Sequence, residues 1–572
     1  MQDNEYDFLK NLNDAQKNAC LEEKNVLLRA CPGSGKTRTL TYKLAYFTIK
    51  NSKSYKKNIA ITYTNRAAEE IKSRVSQLKI DTNKIWTGTI HQFCLEYIIR
   101  PYSMYSNLTK KGYDIIDEYT QKKYIKEICK KLQIPFNNNE NMLENERVYC
   151  EYKKILKDRK QIDFIMILEI SYNILKEKDF VAKNIANIIG CILVDEYQDT
   201  NLLQYQILAS IYSRNKKINL FFVGDINQAI YGELGGIAKS KIELEEMYNT
   251  EFTELELSGC YRSTQNIINY YKNFQIEETN IESCCNFENE DSILSYNKNI
   301  NKVDLANAIS NIIRDEVASG TNEGDICVIA PQWWQLFDIG NKLKTLLPDI
   351  KFDSPEISPI KYDPLNIYYL IARLLFTEKG KNTIIRKNTA KEIINILKSE
   401  YKIEIPKFVD IYFILKVINS SKRYNENGIQ TLQECIKNLL KKCQINLEQE
   451  EKLEQKLSEF LENTDDRISR YKLSITLENI EKSFKIKKGV VINTFHGVKG
   501  EEYKVVIATG LLNGYIPNWN IIINKPLVRN IETKKLLYVI CSRAKQKLYL
   551  FSEQGRTTKN GVELTPTNEL NI

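Results

Sequence analysis

Residues Asn25–Thr37 read NVLLRACPGSGKT, and the organisation of the whole chain follows from them. An apolar run of strand length, NVLLRA, ends in a glycine-rich turn, and a helical pattern, Thr37–Lys50, begins where the turn stops. Glycines at 33 and 35 let backbone N–H groups curl round phosphate oxygens, while the new helix aims its positive end at them. Within Ala30, Cys31, Pro32, Gly33, Ser34, Gly35, Lys36, Thr37 and Arg38, Lys36 suits the β/γ-phosphates and the Thr37 hydroxyl suits Mg²⁺. Ala30 stands where the usual pattern has its first glycine.

Working outward, the same grammar recurs. Continuous apolar runs ending in polar turns occupy Asn58–Thr64, Cys191–Glu196 and Asn219–Asp225, then Asp325–Pro331, Val490–Thr494, Tyr503–Gly510 and Lys547–Ser552. Uninterrupted hydrophobicity at this length predicts strands buried on both faces of a parallel sheet. Helical periods between them, such as Ala67–Leu78, predict an α/β chain of two cores, each interrupted by a helical insertion. The expected division is residues 1–93 and 187–258 for the first core with an insertion at 94–186, and residues 259–380 and 486–572 for the second with an insertion at 381–485.

A second chemical centre lies at Asp195–Thr200, DEYQDT, where an apolar strand delivers two carboxylates at its tip. Ligands bind at the carboxyl ends of such strands. Asp195 suits the Mg²⁺ shell, and Glu196 can hold and deprotonate an attacking water. Alone, each centre also fits a solvated turn; together they predict nucleoside-triphosphate hydrolysis.

Composition sets outer limits. The 572 residues carry Lys+Arg 82 against Asp+Glu 73, a net charge of +9 that is compatible with a polyanion but too dilute to identify one. The thirteen cysteines include no C-x2-C pair, which argues against zinc ribbons and iron–sulfur clusters and for reduced cytoplasmic thiols. No apolar run reaches membrane-spanning length, and the polar start MQDNEYDFLK is not expected to be a signal peptide, so no membrane partner is expected.

The ordered motifs resemble the superfamily 1A DNA helicases of the UvrD/Rep/PcrA kind, whose cores are two RecA-like P-loop domains. LNDAQ (Leu12–Gln16) resembles the adenine-reading glutamine motif, ACPGSGKTR motif I, Ile61–Val75 motif Ia, and TGTIHQF (Thr87–Phe93) motif Ib. DEYQDTN resembles motif II, Gly224–Gly236 motif III and Cys260–Ile267 motif IV. Asn493–Tyr503 resembles motif V, and Leu537–Lys545 motif VI.

The resemblance implies that ATP lies between the two cores, with Gln16 reading adenine, Tyr261 stacking on it and Glu502 touching the ribose. It assigns Lys36, Gln228, Arg262 and Arg543 to the phosphates or the water. Tyr63, Thr64, Asn65, Thr89, His91, Tyr231 and His496 stand at family DNA-contact positions; His91 and His496 are the only histidines of the chain. Movement 3′→5′ on single-stranded DNA, opening of tailed duplexes, and use of ATP and Mg²⁺ are implied likewise.

Two departures qualify the expectation. Glu233-Leu234 replaces the Trp-Arg usual in motif III, removing a stacking ring and a cation. The adjacent Trp333–Trp334 has two readings: a compensating stacking surface, or core packing at a strand end. The second insertion is short and motif VI lies near the end of the sequence, as in compact members such as the helicase-like subunit of the Gabija phage-defence system. The alternative expectation is therefore a DNA-responsive ATPase subunit that regulates a partner nuclease and unwinds little.

Overall fold

The computed structural model describes residues 6–78, 80–136, 141–232, 235–289, 291–353, 366–377, 383–470, 474–484, 489–558 and 560–570. Glu233 and Leu234, the motif III departure, lie outside the described residues. The chain divides into two units, Met1–Ser258 and Gly259–Ile572.

In the first unit the strands are β1 (Val26–Ala30), β2 (Lys57–Thr62), β3 (Ile85–Thr89), β4 (Asp114–Ile115), β5 (Gln161–Ile162), β6 (Ile189–Asp195), β7 (Asn219–Gly224) and β8 (Thr253–Leu257). Six of them form one sheet in the order β3-β2-β6-β7-β1-β8, parallel throughout. Val26, Leu28 and Ala30 of β1 point into a cluster with Leu40, Leu44 and Phe47 of the following helix, Lys36–Lys50. Leu27, on the opposite face, is equally buried. That two-sided burial is why the run is apolar without alternation. Between β3 and β6 the chain is largely helical, with Glu118–Lys131, Glu146–Asp158, Phe164–Glu177 and Asp179–Ile188, plus the short parallel pair β4–β5.

The second unit repeats the plan. Its strands are β9 (Gly259–Cys260), β10 (Glu282–Ser283), β11 (Ile293–Asn297), β12 (Ile326–Ala330), β13 (Phe352–Asp353), β14 (Val490–Thr494), β15 (Tyr503–Ala508) and β16 (Ala544–Phe551). Its six-stranded parallel sheet runs β11-β16-β15-β12-β14-β13. Helices Leu305–Ala318 and Trp333–Leu346 cover it with Ile309, Ile313, Leu336, Ile339 and Leu343.

Helices from Ile367–Phe376 to Leu477–Phe484 share a core of their own, separate from that sheet. That helical core begins at Ile367, ahead of the boundary at 381 expected from the sequence, because nine of the ten residues of Ile367–Phe376, all but Arg373, are buried within it.

Candidate functional site

The carboxyl edge of the first sheet gathers the phosphate loop and the acidic centre. After β1 the chain turns through Gly33 (φ 72°) and Gly35 (φ 82°), left-handed conformations that glycine adopts freely. Gly35 is fixed a second way: a Cβ there would stand 2.8 Å from the Nε2 of Gln16.

Gln16 itself is buried and occupied. Its Nε2 donates to the carbonyl of Ser34 at 2.9 Å, and its Oε1 accepts from the N–H of Asn13 at 3.2 Å within the capping box of helix Asp14–Leu21. The glutamine expected to read adenine thus grips the phosphate loop, keeping one N–H and one lone pair for a ligand.

Around the loop, the Ser34 hydroxyl donates to Cys31 O at 2.8 Å and Lys36 Nζ lies 3.5 Å from Ala30 O. Arg38 is exposed, donating to Asn11 O at 2.8 Å. Pro32 is buried in the turn.

β6 is two strands from β1, with β7 between. Its last residue, Asp195, comes within 3.5 Å of the Thr37 hydroxyl, so the two expected Mg²⁺ ligands do meet. Burial holds the Asp195 carboxyl well above the usual carboxylate range; the charge of Glu196 adds to this and that of Lys36 opposes it. Glu196 sits at φ 51°, a left-handed turn that swings its side chain off the strand direction.

The next residues lock it there. Gln198, fully buried, donates from Nε2 to Glu196 Oε2 at 2.6 Å and accepts at Oε1 from the N–H of Asp225 at 3.1 Å. Asp225, just after β7, in turn takes Gln228 Nε2 at 2.7 Å and the Asn227 N–H at 3.0 Å. Burial raises the Asp225 carboxyl too, against the pull of Lys36. Loop, carboxylates and Gln228 therefore form one hydrogen-bonded system. Gln198 and Asp225 were not among the residues expected from sequence, although both lie inside quoted motifs.

Further along the same edge, Tyr63 after β2 and Tyr231 after β7 stack on each other, ring centroids 4.9 Å apart and 18° from parallel. Burial, with the charges of Asp199 and Glu118, pushes Tyr63 up to about 12, so it is a neutral phenol. Thr64 caps helix Asn65–Gln77 by accepting from Ala67 N at 3.2 Å, and Thr89 forms a capping box with Gln92. His91 meets Phe164 edge-on at 5.7 Å, and burial lowers its imidazole to about 4. It is uncharged at neutral pH.

In the second unit, Arg262 donates from Nε to Glu502 at 2.8 Å and from Nη1 to Ser542 O at 2.8 Å. Lys545 reaches the other Glu502 oxygen at 2.9 Å. Burial would raise Glu502, but Arg262 and Lys545 outweigh it and bring the carboxyl down to about 2. Arg543 is buried, its guanidinium donating to Val539 O at 3.0 Å, Glu501 O at 3.2 Å and Ser542 Oγ at 3.1 Å. Tyr261 is exposed, and His496 lies exposed in the turn after β14.

Among the described residues no group of three or more His, Cys, Asp or Glu could cage a metal ion. One hydroxyl and one carboxylate beside a phosphate loop match Mg²⁺, which takes few protein ligands and relies on substrate phosphates. Also among the described residues, no helix is long and apolar enough to cross a membrane.

Comparison with known proteins fits this geometry. The UvrD/REP helicase N-terminal domain matches residues 12–145 and 135–249, and the UvrD-like helicase C-terminal domain matches residues 368–555. A probable DNA helicase II homolog of Mycoplasma capricolum is 26% identical, over 95% of this chain and 84% of its own length. The ATP-dependent DNA helicase PcrA of Staphylococcus epidermidis is 24% identical and that of Staphylococcus aureus 25%, each over 96% of this chain and 84% of its own length. With its phosphate loop, its strand-tip carboxylates and more than half its length matched by the two domains, the chain belongs to the UvrD-like helicase family.

Proposed function

We propose that the chain is an ATP-dependent DNA helicase that hydrolyses ATP to move 3′→5′ along single-stranded DNA and to part tailed duplexes. The observation that carries this reading is the chain of hydrogen bonds from Glu196 through Gln198 and Asp225 to Gln228, beside a phosphate loop whose Thr37 hydroxyl lies 3.5 Å from Asp195. A stacked tyrosine pair stands on the same sheet edge. The names of the staphylococcal relatives agree with it.

In this reading Gly33–Thr37 cradle the phosphates and Lys36 neutralises them. Mg²⁺, held by Thr37 and Asp195, would shield the charge on the β- and γ-oxygens. Glu196 takes the proton of the attacking water, kept in place by the Gln198 amide. Gln228 senses the γ-phosphate and is aimed by Asp225.

Arg262 and Arg543 stabilise charge gathered on the γ-phosphate. Both are held within their own unit by several bonds. Engaging the nucleotide means exchanging those bonds, which couples hydrolysis to a rearrangement. Gln16 reads adenine with its remaining N–H and lone pair, Tyr261 stacks on the ring and Glu502 meets the ribose. Tyr63, Tyr231, Thr64, Asn65, Thr89, His91 and His496 line the DNA path. Opening DNA costs on average about 1.4 kcal/mol per base-pair step, which ATP hydrolysis must supply.

Strand displacement on 3′-tailed and 5′-tailed duplexes tests the proposal. ATP-dependent opening of the 3′-tailed substrate alone is expected. Opening of the 5′-tailed one would reverse the polarity. ATPase activity without opening of either would favour a DNA-responsive subunit regulating a partner nuclease in phage defence.

A further inference from the structure

The two adjacent tryptophans of the second unit have different fates. Trp333 turns inward, packs against the sheet core and lies beside Phe337 with centroids 6.2 Å apart. Trp334 stays 50% exposed, at the carboxyl end of β12.

An exposed indole on a helix start is ordinary; one held in place from three sides is not. Its Nε1 donates to Gln332 Oε1 at 2.5 Å, fixing the ring direction. Tyr515, which follows β15, meets it edge-on at 6.0 Å and 73°. The guanidinium of Arg556, which follows β16, lies 5.8 Å from the ring centroid. Arg556 is itself anchored: its Nε donates to Glu553 Oε1 at 3.0 Å, and Glu553 is buried and takes the Gly510 N–H at 2.9 Å on its other oxygen. Three neighbouring strands of one sheet, β16, β15 and β12, thus converge their carboxyl-end residues on one indole. That edge is where parallel sheets take their ligands.

We propose that Trp334 is a base-stacking position of the second unit: one nucleobase of single-stranded DNA lies on the open part of the indole, with Arg556 pairing its charge to the adjacent backbone. This rests on the helicase reading above. The chemistry needed is a flat π-surface, restrained before binding, next to a fixed cation; such platforms hold single strands without regard to sequence. The arrangement also supplies on this unit the ring and cation that Glu233-Leu234 removes from motif III.

The test is fluorescence anisotropy of a labelled oligothymidine and of an abasic strand of equal length, with wild type, Trp334→Ala and Trp334→Phe, each checked for an unchanged melting temperature. Trp334→Ala should bind oligothymidine about 5- to 150-fold more weakly. Trp334→Phe, which keeps a π-face, should recover most of that loss. On the abasic strand wild type and Trp334→Ala should bind alike. Equal binding of oligothymidine by wild type and Trp334→Ala overturns the proposal, as does an equal loss on both strands. Wild type that binds neither strand refutes the helicase reading itself, and the stacking position with it.

Discussion

Gln198 is the positioner of Glu196: its side-chain amide donates to the glutamate at 2.6 Å and receives the Asp225 N–H at 3.1 Å. A carboxylate gripped in this way is held in one orientation beside the phosphate loop. Replacing Gln198 by Ala should leave ATP binding intact and lower the maximal ATPase rate by about tenfold, since a loosened general base forfeits part of a contribution of about 10²–10⁴. Steady-state ATPase assays that separate kcat from KM check this; a change confined to KM would remove Gln198 from that role.

Gly224 is compelled by the same side chain. A Cβ at 224 would stand 2.1 Å from Gln198 Oε1 and 2.7 Å from Cδ1 of buried Tyr197. Gly224→Ala should therefore destabilise the first unit by about 1–3 kcal/mol, the usual cost of overpacking. Denaturant unfolding measures it, and unchanged stability would contradict the packing described.

Asp195 predicts a pH-dependent trade between function and stability. Its carboxyl is raised in the folded chain by burial and by Glu196, so the fold binds a proton there more tightly than the unfolded chain does. Stability from this group is full below the unfolded value, near 4, and falls as pH rises toward neutrality. Asp195→Asn removes the penalty: it should abolish ATPase activity yet raise the melting temperature at pH 8 without Mg²⁺, by about 2–4 °C per kcal/mol gained. The gain should shrink at pH 5. Thermal melts at the two pH values decide it.

His91 is held neutral by burial, its imidazole lowered to about 4. With two histidines in the chain, imidazole NMR resonances can be assigned by comparing wild type with His91→Gln. The His91 signal should stay in its neutral form from pH 8 down to about pH 5. A midpoint near 6.5 would mean that the ring is solvated, in disagreement with its packing on Phe164.

Tyr63 and Tyr231 stack on each other, so each ring is already oriented for a base. Tyr63→Ala or Tyr231→Ala should weaken oligonucleotide binding by about 1–3 kcal/mol. Anisotropy titrations at one fixed salt concentration give the answer.

How legible all this was varies with burial. The central strands β1, β2, β6 and β7 are continuous apolar runs because both faces are covered, and the sequence displays them. Edge strands do not look like that: β8 is TELEL, and its Glu254 forms an ion pair with Arg29 of β1. Charge on an edge is a common way of blunting it, and it hides the strand from a search for apolar runs. β3 (IWTGT) and β11 (ILSYN), also at sheet edges, escape because uncharged polar residues and glycine break up their apolar ones.

At the site, the residue types were visible but their wiring was not. That Gln198 grips Glu196 depends on the left-handed turn at Glu196, which no periodicity announces. The sequence also left Trp333 and Trp334 as one pair with one fate, whereas the helix start at 333 sends them opposite ways.

The central claim is that Glu196, aimed by Gln198 beside the phosphate loop, drives ATP turnover that single-stranded DNA commands. The measurement that meets it head-on is ATP hydrolysis by wild type and Glu196→Gln with and without single-stranded DNA, alongside ATP binding by both. Wild type should be strongly stimulated by the strand, and Glu196→Gln should bind ATP while losing turnover by about 10² or more. Undiminished, DNA-stimulated hydrolysis by Glu196→Gln would contradict the account.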